Sequence, residues 1–295
     1  MKSGFVSFIG RPNVGKSTLL NSIMGRKVAI TSNKPQTTRN IIQGIYNEED
    51  TQIVFVDTPG IHKPTHKLGK VLNRQAYYSM DDVDVILMLT DASQSFGPGD
   101  KYVIEKLKEY NKPVLLILNK IDKIKKEDIL LKINEYKDLY DFKEIIPVSA
   151  IKNDNVKHLI DVIKKYLPDS VKFYEEGTVT NKTIDFIISE LIREKVFELT
   201  EEEVPHSITC VVESIEYGKT SNTINASIIV DRDSLKKIII GKQGAKIKEI
   251  GVLARRDIEE VMGKRIYLDL FVKTIKKWRD REKYLSEFGF HDFEK

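Results

Sequence analysis

Phe5-Val6-Ser7-Phe8-Ile9-Gly10-Arg11-Pro12-Asn13-Val14-Gly15-Lys16-Ser17-Thr18-Leu19-Leu20 sets an apolar run, a glycine-bounded loop and the opening of a second apolar pattern end to end. The loop fits G-x-x-x-x-G-K-[ST], with the strand before it and the helix after it that this motif requires. In that setting successive backbone N–H groups form an anion nest at a helix N-terminus, where Lys16 reaches outer phosphates and the Ser17 hydroxyl ligates magnesium. The stretch therefore predicts a P-loop α/β domain that binds a nucleoside triphosphate, without saying which one.

The base is read further along. After the apolar run Val114 to Leu118 comes Asn119-Lys120-Ile121-Asp122. The two carboxylate oxygens of Asp122 suit the N1–H and exocyclic amine of guanine, a donor pair that adenine lacks. In such readers the Asn braces the loop and the Lys stem covers the base. A further run, Glu144 to Val148, ends in Ser149-Ala150, where a backbone N–H can meet the guanine O6. Between loop and reader, Ile53 to Val56 leads into Asp57-Thr58-Pro59-Gly60. Here Asp57 is placed to hold magnesium through water, and the Gly60 N–H to sense a γ-phosphate. Four elements in this order and context make coincidence improbable.

Composition agrees. The 295 residues suffice for about two domains, and 41 % hydrophobic content supports real cores. One cysteine, Cys210, forms no internal disulfide. The first residues enter a strand at once, without the pattern of a signal peptide, so the cytoplasm is the expected compartment. No apolar run approaches the roughly 20 residues of a membrane span. The net charge is +4, and its placement tells more than its sum.

Strands near Phe5, Gln52, Val85, Val114 and Ile145 alternate with amphipathic stretches such as Lys101 to Tyr110 and Val156 to Tyr166, which predicts a doubly wound, mostly parallel sheet. All its candidate loops follow strand C-termini, where ligands bind in open α/β sheets. Leu167-Pro168-Asp169-Ser170 breaks the pattern. We place a GTP-binding domain at 1–170, a linker at 171–181 and a second domain at 182–295.

The second half is written differently. A helical pattern over Lys182 to Leu199 precedes strands over Ser207 to Ser214 and Thr223 to Val230. Then come Ile238-Ile239-Ile240-Gly241-Lys242-Gln243-Gly244-Ala245-Lys246, a helix to about Met262, a strand over Ile266 to Val272 and a charged helix from Thr274. Gly241-x-x-Gly244 between two helices is the clamp of an α+β KH domain of type II, whose glycines let the backbone approach about four nucleotides. Ile240, Lys242, Gln243 and Lys246 complete the candidate RNA contact. A bare G-x-x-G is a weak signal and also describes a helical turn with a solvated basic face. The helix-strand-strand-helix-helix-strand order supports the clamp, as does a basic-to-acidic ratio of about two to one between Leu235 and Lys283.

With both halves read, the whole chain resembles the Era family of bacterial GTPases. Pro35-Gln36-Thr37-Thr38-Arg39 is similar to its first switch, Asp57-Thr58-Pro59-Gly60 to its second, and the Gly241–Gly244 loop to its KH clamp. The resemblance implies a cytoplasmic, monomeric GTPase that uses magnesium, binds the 3′ end of small-subunit (16S) ribosomal RNA, assists 30S maturation and makes some peripheral contact with the inner face of the cell membrane. By position Thr38 is the switch residue for magnesium and the γ-phosphate, although Thr37 leaves that assignment open by one residue. The catalytic set is then Lys16, Thr38 and Gly60.

Where Ras-like GTPases place a water-orienting glutamine, this chain has Ile61, so unaided turnover is expected to be slow. In related GTPases with Pro-Asn in the loop, the Asn helps hold a potassium ion, which makes Asn13 a candidate; a loop Asn also braces its own turn. His62 and His66 read as exposed loop residues rather than bases. Trp278 reads as a partly buried helix residue rather than a stacking platform. Two competing functions stay open: an RNA-binding module whose nucleotide is only structural, and a membrane-signalling GTPase, for which the sequence has no lipidation motif.

Overall fold

The computed structural model describes residues 1–34, 37–61, 64 and 66–290. The first half forms a six-stranded sheet from β1 (Lys2–Gly10), β2 (Ile42–Glu48), β3 (Thr51–Asp57), β4 (Val85–Asp91), β5 (Val114–Asn119) and β6 (Glu144–Pro147). Their order is β2-β3-β1-β4-β5-β6, parallel except where β2 runs against β3. Five helices cover it: α1 (Lys16–Met24), α2 (Lys67–Asp81), α3 (Pro98–Leu107), α4 (Lys126–Tyr136) and α5 (Val156–Tyr166). Alternate strand residues feed opposite cores. Phe8, Phe55, Leu87 and Leu115 pack on α1 and α5, whereas Ile9, Val56, Met88 and Leu116 pack on α2, α3 and α4. Burial on both faces is why β4 and β5 read as unbroken apolar runs.

The second half pairs β7 (Ile208–Tyr217), β8 (Ser221–Val230) and β9 (Arg265–Thr274) in that order, with β7 and β8 antiparallel and β8 and β9 parallel. The helices α6 (Ile184–Leu199), α7 (Asp233–Ile240) and α8 (Ala245–Met262) enclose a core of its own, built from Ile188, Ile192, Ile224, Ile228, Ile239, Ala254 and Ile258. This is the expected order of elements. The charged helix expected from Thr274 is corrected: β9 runs to Thr274 because its ladder with β8 extends to Val230, and Ile275 N–H still donates to Val230 O at 2.9 Å. A 3-10 turn over Trp278–Asp280 and a short α9 (Glu282–Glu287) follow. Trp278 is fully buried, donates from Nε1 to Ser207 O at 3.0 Å and packs against Phe288 and Phe290. It has no face left for a base.

The polar stretch expected as a linker is pinned to the first sheet. Gln52 Oε1 accepts from the N–H groups of Phe173 and Tyr174 at 2.7 and 3.0 Å, and Ile45 N–H donates to Val179 O at 2.9 Å. It thereby covers the open edge at β2.

Candidate nucleotide site and nucleic-acid clamp

The strand ends of β1, β3, β4 and β5 bring Gly10, Asp57, Asp91 and Asn119 to one edge of the first sheet. At the end of β1 the loop must pass under its neighbours. A Cβ on Gly10 would stand 2.5 Å from Leu89 O, one on Gly15 2.3 Å from Asn119 Nδ2, and both φ angles are positive, at 149° and 97°. Gly60 is excluded from bearing a side chain by Pro12, whose N and Cα lie 2.9 Å from the place of its Cβ. Val14 anchors the loop in the core at 2 % exposure. Arg11 is drawn aside by Asp100, Nε to Oδ1 2.9 Å, and by Gln94 Oε1 at 3.1 Å. Thr18, on the first turn of α1, lines the cleft beside Ser17.

Lys16 folds over the loop, its Nζ 3.5 Å from Gly10 O and 3.3 Å from Arg11 O. Burial pushes its pKa down to about 8, against the opposing pull of the Asp57 charge. Beside it, Asp57 Oδ2 accepts from Ser17 Oγ at 2.7 Å and from Thr38 Oγ1 at 3.3 Å, and the two hydroxyls are 2.8 Å apart. Asp57 is wholly buried, and its Oδ1 has no hydrogen-bond partner. Burial raises its pKa, with Lys16, Ser17 and Thr38 working the other way. A carboxylate with an orphan oxygen beside two hydroxyls is a set of hard oxygen donors, and magnesium fits it. Of the two adjacent threonines, Thr37 Oγ1 donates to Lys34 O at 2.7 Å, and Thr38 alone of the pair joins Ser17 and Asp57.

Ile61 faces away from this site. Its N–H donates to Gly10 O at 3.2 Å and its side chain sits in the apolar layer with Ile9, Val56 and Ala76. His66 is exposed, with Nδ1 3.9 Å from Asp280; His62, Pro35 and Gln36 lie outside the described residues. Asn13, at φ 65°, spends its Nδ2 on Asn33 O at 2.7 Å, tying the phosphate loop to the segment that carries Thr38.

The loop after β5 is braced by its own side chains. Asn119, 1 % exposed, donates from Nδ2 to Val14 O at 2.9 Å and accepts at Oδ1 from the N–H groups of Lys120 and Ala150 at 2.8 and 3.0 Å. Ser149 Oγ donates to Asp122 Oδ1 at 2.5 Å and fixes that carboxylate. Of the two backbone N–H groups at Ser149-Ala150, that of Ala150 is thus engaged by Asn119, and that of Ser149 goes to Asp154 O at 3.1 Å. Sequence reading missed Asp91. Its Oδ2 accepts from Lys120 Nζ at 2.7 Å, and the available signal was an acid ending an apolar strand.

In the second half, α7 ends at Ile240 and the clamp turns through left-handed angles at Gly241 (φ 72°), Gln243 (φ 52°) and Gly244 (φ 78°) before α8 begins. A Cβ on Gly241 would meet Lys246 Cβ at 2.8 Å, whereas the space around Gly244 is open. Lys242 and Gln243 are exposed, and the first turn of α8 holds no acidic residue. The loop thus sets an exposed lysine beside the positive end of α8.

The two halves meet through Lys34, Thr37 and Arg39 and through α2. The buried Arg39 donates to the carbonyls of Ile208 and, at 2.8 Å, Pro205; Arg193 reaches Thr37 O, and Lys34 reaches the carbonyls of Phe197 and Thr200. Leu68, Val71 and Leu72 of α2 also share an apolar cluster with Trp278 and Leu285.

Comparison with known proteins follows this division. A family model described as 50S ribosome-binding GTPase matches residues 5–120, and one described as KH domain matches residues 203–279. The chain is similar to Era solved in complex with MgGDPNP and nucleotides 1506–1542 of 16S ribosomal RNA, at 41 % identity over 98 % of this chain and 99 % of that one, TM-score 0.96. It is equally similar to a variant of Aquifex aeolicus Era bound to GDP.AlF4-, at 41 % identity over 98 % and 99 % of the two chains, TM-score 0.95.

Proposed function

Because this chain belongs to the Era family of GTPases, we propose that it binds and hydrolyses GTP with magnesium and holds 16S ribosomal RNA in the Gly241–Gly244 clamp, assisting maturation of the small subunit. The carrying observation is the convergence of Ser17, Thr38 and Asp57 beside Lys16, in a chain whose base reader is already braced. The description of the first-half family model names the large subunit, but that model spans no KH residue. The relative matched across both halves was solved with 16S ribosomal RNA, which supports the small subunit. The reading divides the chain at 1–170, 171–181 and 182–295.

Lys16 supplies an ammonium to the outer phosphates, and the Thr38 hydroxyl closes the site from the switch side. Ser17, Thr38 and Asp57 would hold magnesium, which would supply positive charge against the phosphates there. The Gly60 N–H is the sensor of the γ-phosphate in this reading. Ile61 offers no group to orient water, and slow unaided hydrolysis follows. Asn13 extends the reading to potassium: replacing potassium by sodium at equal ionic strength should lower single-turnover hydrolysis, and equal rates end that idea.

GTP acts here as a timer rather than a fixed structural ligand, because Thr38 and its neighbour Arg39 belong to one strap that reaches both the nucleotide site and the KH half. The test is RNA affinity by filter binding with GTP analogue and with GDP. Equal affinities favour the structural-ligand reading. The proposal includes a monomer in the cytoplasm with peripheral membrane contact; no helix among the described residues is long and apolar enough to cross a membrane.

A further inference from the structure

We infer that Asp91 is a positioning residue for guanine-nucleotide binding: it fixes the ammonium of Lys120 so that the lysine stem lies across the base site and is tied to the phosphate loop. The inference rests on the reading of Asn119, Lys120 and Asp122 as a guanine site. Asp91 closes β4 opposite Asn119 in the β4–β5 ladder, and Ala92 N–H donates to Asn119 O at 2.8 Å, so strand pairing sets its distance from the reader. Its side chain is 4 % exposed. Oδ1 accepts from Ser93 N–H at 3.0 Å and Ser93 Oγ at 2.6 Å, which fixes the rotamer and aims Oδ2 at Lys120 Nζ, 2.7 Å away. The same ammonium donates to Asn13 O at 2.6 Å. Lys120 is therefore held at both ends: its backbone stands in the left-handed region at φ 66° with its N–H on Asn119, and its tip bridges Asp91 and the phosphate loop. Lys120 Cε passes 3.9 Å from the place of a Cβ on Gly15, which puts the stem directly over the loop.

An unrestrained lysine would have to give up most of its rotamer freedom when a base arrives; here much of that freedom is already lost. Burial alone would raise the Asp91 pKa, yet the bonds from Lys120 and Ser93 hold it below the usual carboxylate value, so Asp91 presents a carboxylate to the ammonium across the neutral range. Because the stem meets the face of a base and not its edge, Asp91 should govern affinity and leave the choice of base to Asp122.

The test is a double-mutant cycle on the full chain. Asp91→Asn keeps an oxygen for Ser93 but turns an amide toward the ammonium; it should weaken GDP binding roughly tenfold, the loss of one charge-assisted hydrogen bond. The factor should shrink to about one in a Lys120→Ala background. The loss should be the same for GDP and IDP, with single-turnover hydrolysis at saturating GTP unchanged, and Asp91→Glu should restore part of the affinity. Melting temperatures without nucleotide show whether the fold is intact. An equal loss in both backgrounds, or no loss at all, overturns the assignment of Asp91. Failure of the unmodified chain to bind any guanine nucleotide overturns the site reading itself, and with it this inference.

Discussion

Lys16 is held at a pKa of about 8 by its own burial, well under the ordinary 10.5. Between those two values the unfolded chain keeps a proton that the folded chain has lost, so this residue's contribution to stability improves as pH rises from about 8 to 10.5. Below pH 8 the full cost of burying the ammonium is present. Nucleotide phosphates favour the ammonium, so binding must take up a proton above pH 8. Calorimetry in two buffers of different ionisation enthalpy should find uptake growing from pH 7 to pH 9, with affinity falling over the same range. No uptake at pH 9 would show that Lys16 already carries its proton. The second residue-scale expectation concerns Asp122. In Asp122→Asn the remaining oxygen still accepts from Ser149, so the loop survives while two guanine donors lose a charged acceptor worth about 1.5 to 3 kcal/mol each. GTP affinity should fall steeply and xanthosine triphosphate should gain relative to it. Titrations that leave GTP binding unchanged would sink the guanine assignment.

At the scale of elements, the clamp between α7 and α8 works by backbone proximity, and its exposed positions are free to change. Lys242→Asp with Gln243→Asp should weaken RNA binding and leave GTP affinity and melting temperature intact. Losing one lysine contact should also lower the slope of log affinity against log salt by roughly 0.7. Gly241→Ala should instead unsettle the element, since its Cβ would meet Lys246 at 2.8 Å in a left-handed turn; a cost of about 1 to 3 kcal/mol is expected, read as a lower melting temperature. Which elements sequence could reveal follows from where their burial lies. The runs β1, β3, β4 and β5 are covered on both faces, and their composition says so. Strand β2, Ile42–Glu48, escaped because it is an edge strand with Gln43, Gly44 and Asn47 among its apolar residues. Asn119, Lys120 and Asp122 were legible because each chemical task demands one residue type at one spacing. Asp91 was not, since its task depends on the neighbouring strand. The end of β9 was misread for the same reason: the charged residues after Thr274 suit a solvated helix, and only the ladder to β8 decides otherwise.

At the scale of the molecule, one strap serves two sites. Thr38 faces Ser17 and Asp57, while Arg39 is buried at 1 % exposure in the KH half with its guanidinium on the carbonyls of Ile208 and Pro205. Thr38 and Arg39 are joined by one peptide bond, so a shift that would draw Thr38 toward a γ-phosphate and magnesium would also move Arg39. Arg193, donating to Thr37 O from α6, and the Lys27 pairs with Glu194 and with Asp257 on α8 link the same face of the first half to the helix that follows the clamp. Coupling of this kind is reciprocal: if GTP changes RNA affinity by some factor, RNA changes GTP affinity by the same factor. Arg39→Ala should leave GDP affinity near that of the unmodified chain, because Arg39 touches no part of the nucleotide site. It should, however, reduce the ratio of RNA affinities with GTP analogue and with GDP toward one, from a starting value that typical couplings of about 1 to 3 kcal/mol would place between several-fold and a hundredfold. The fragment 180–295 should bind RNA without nucleotide, since its core is its own, although losing α2 uncovers the Trp278 cluster and lowers its solubility. Filter binding of the full chain, Arg39→Ala and the fragment in both nucleotide states separates the cases. An Arg39→Ala chain that keeps the full nucleotide dependence would show that coupling passes through the α2 contact with Trp278 instead.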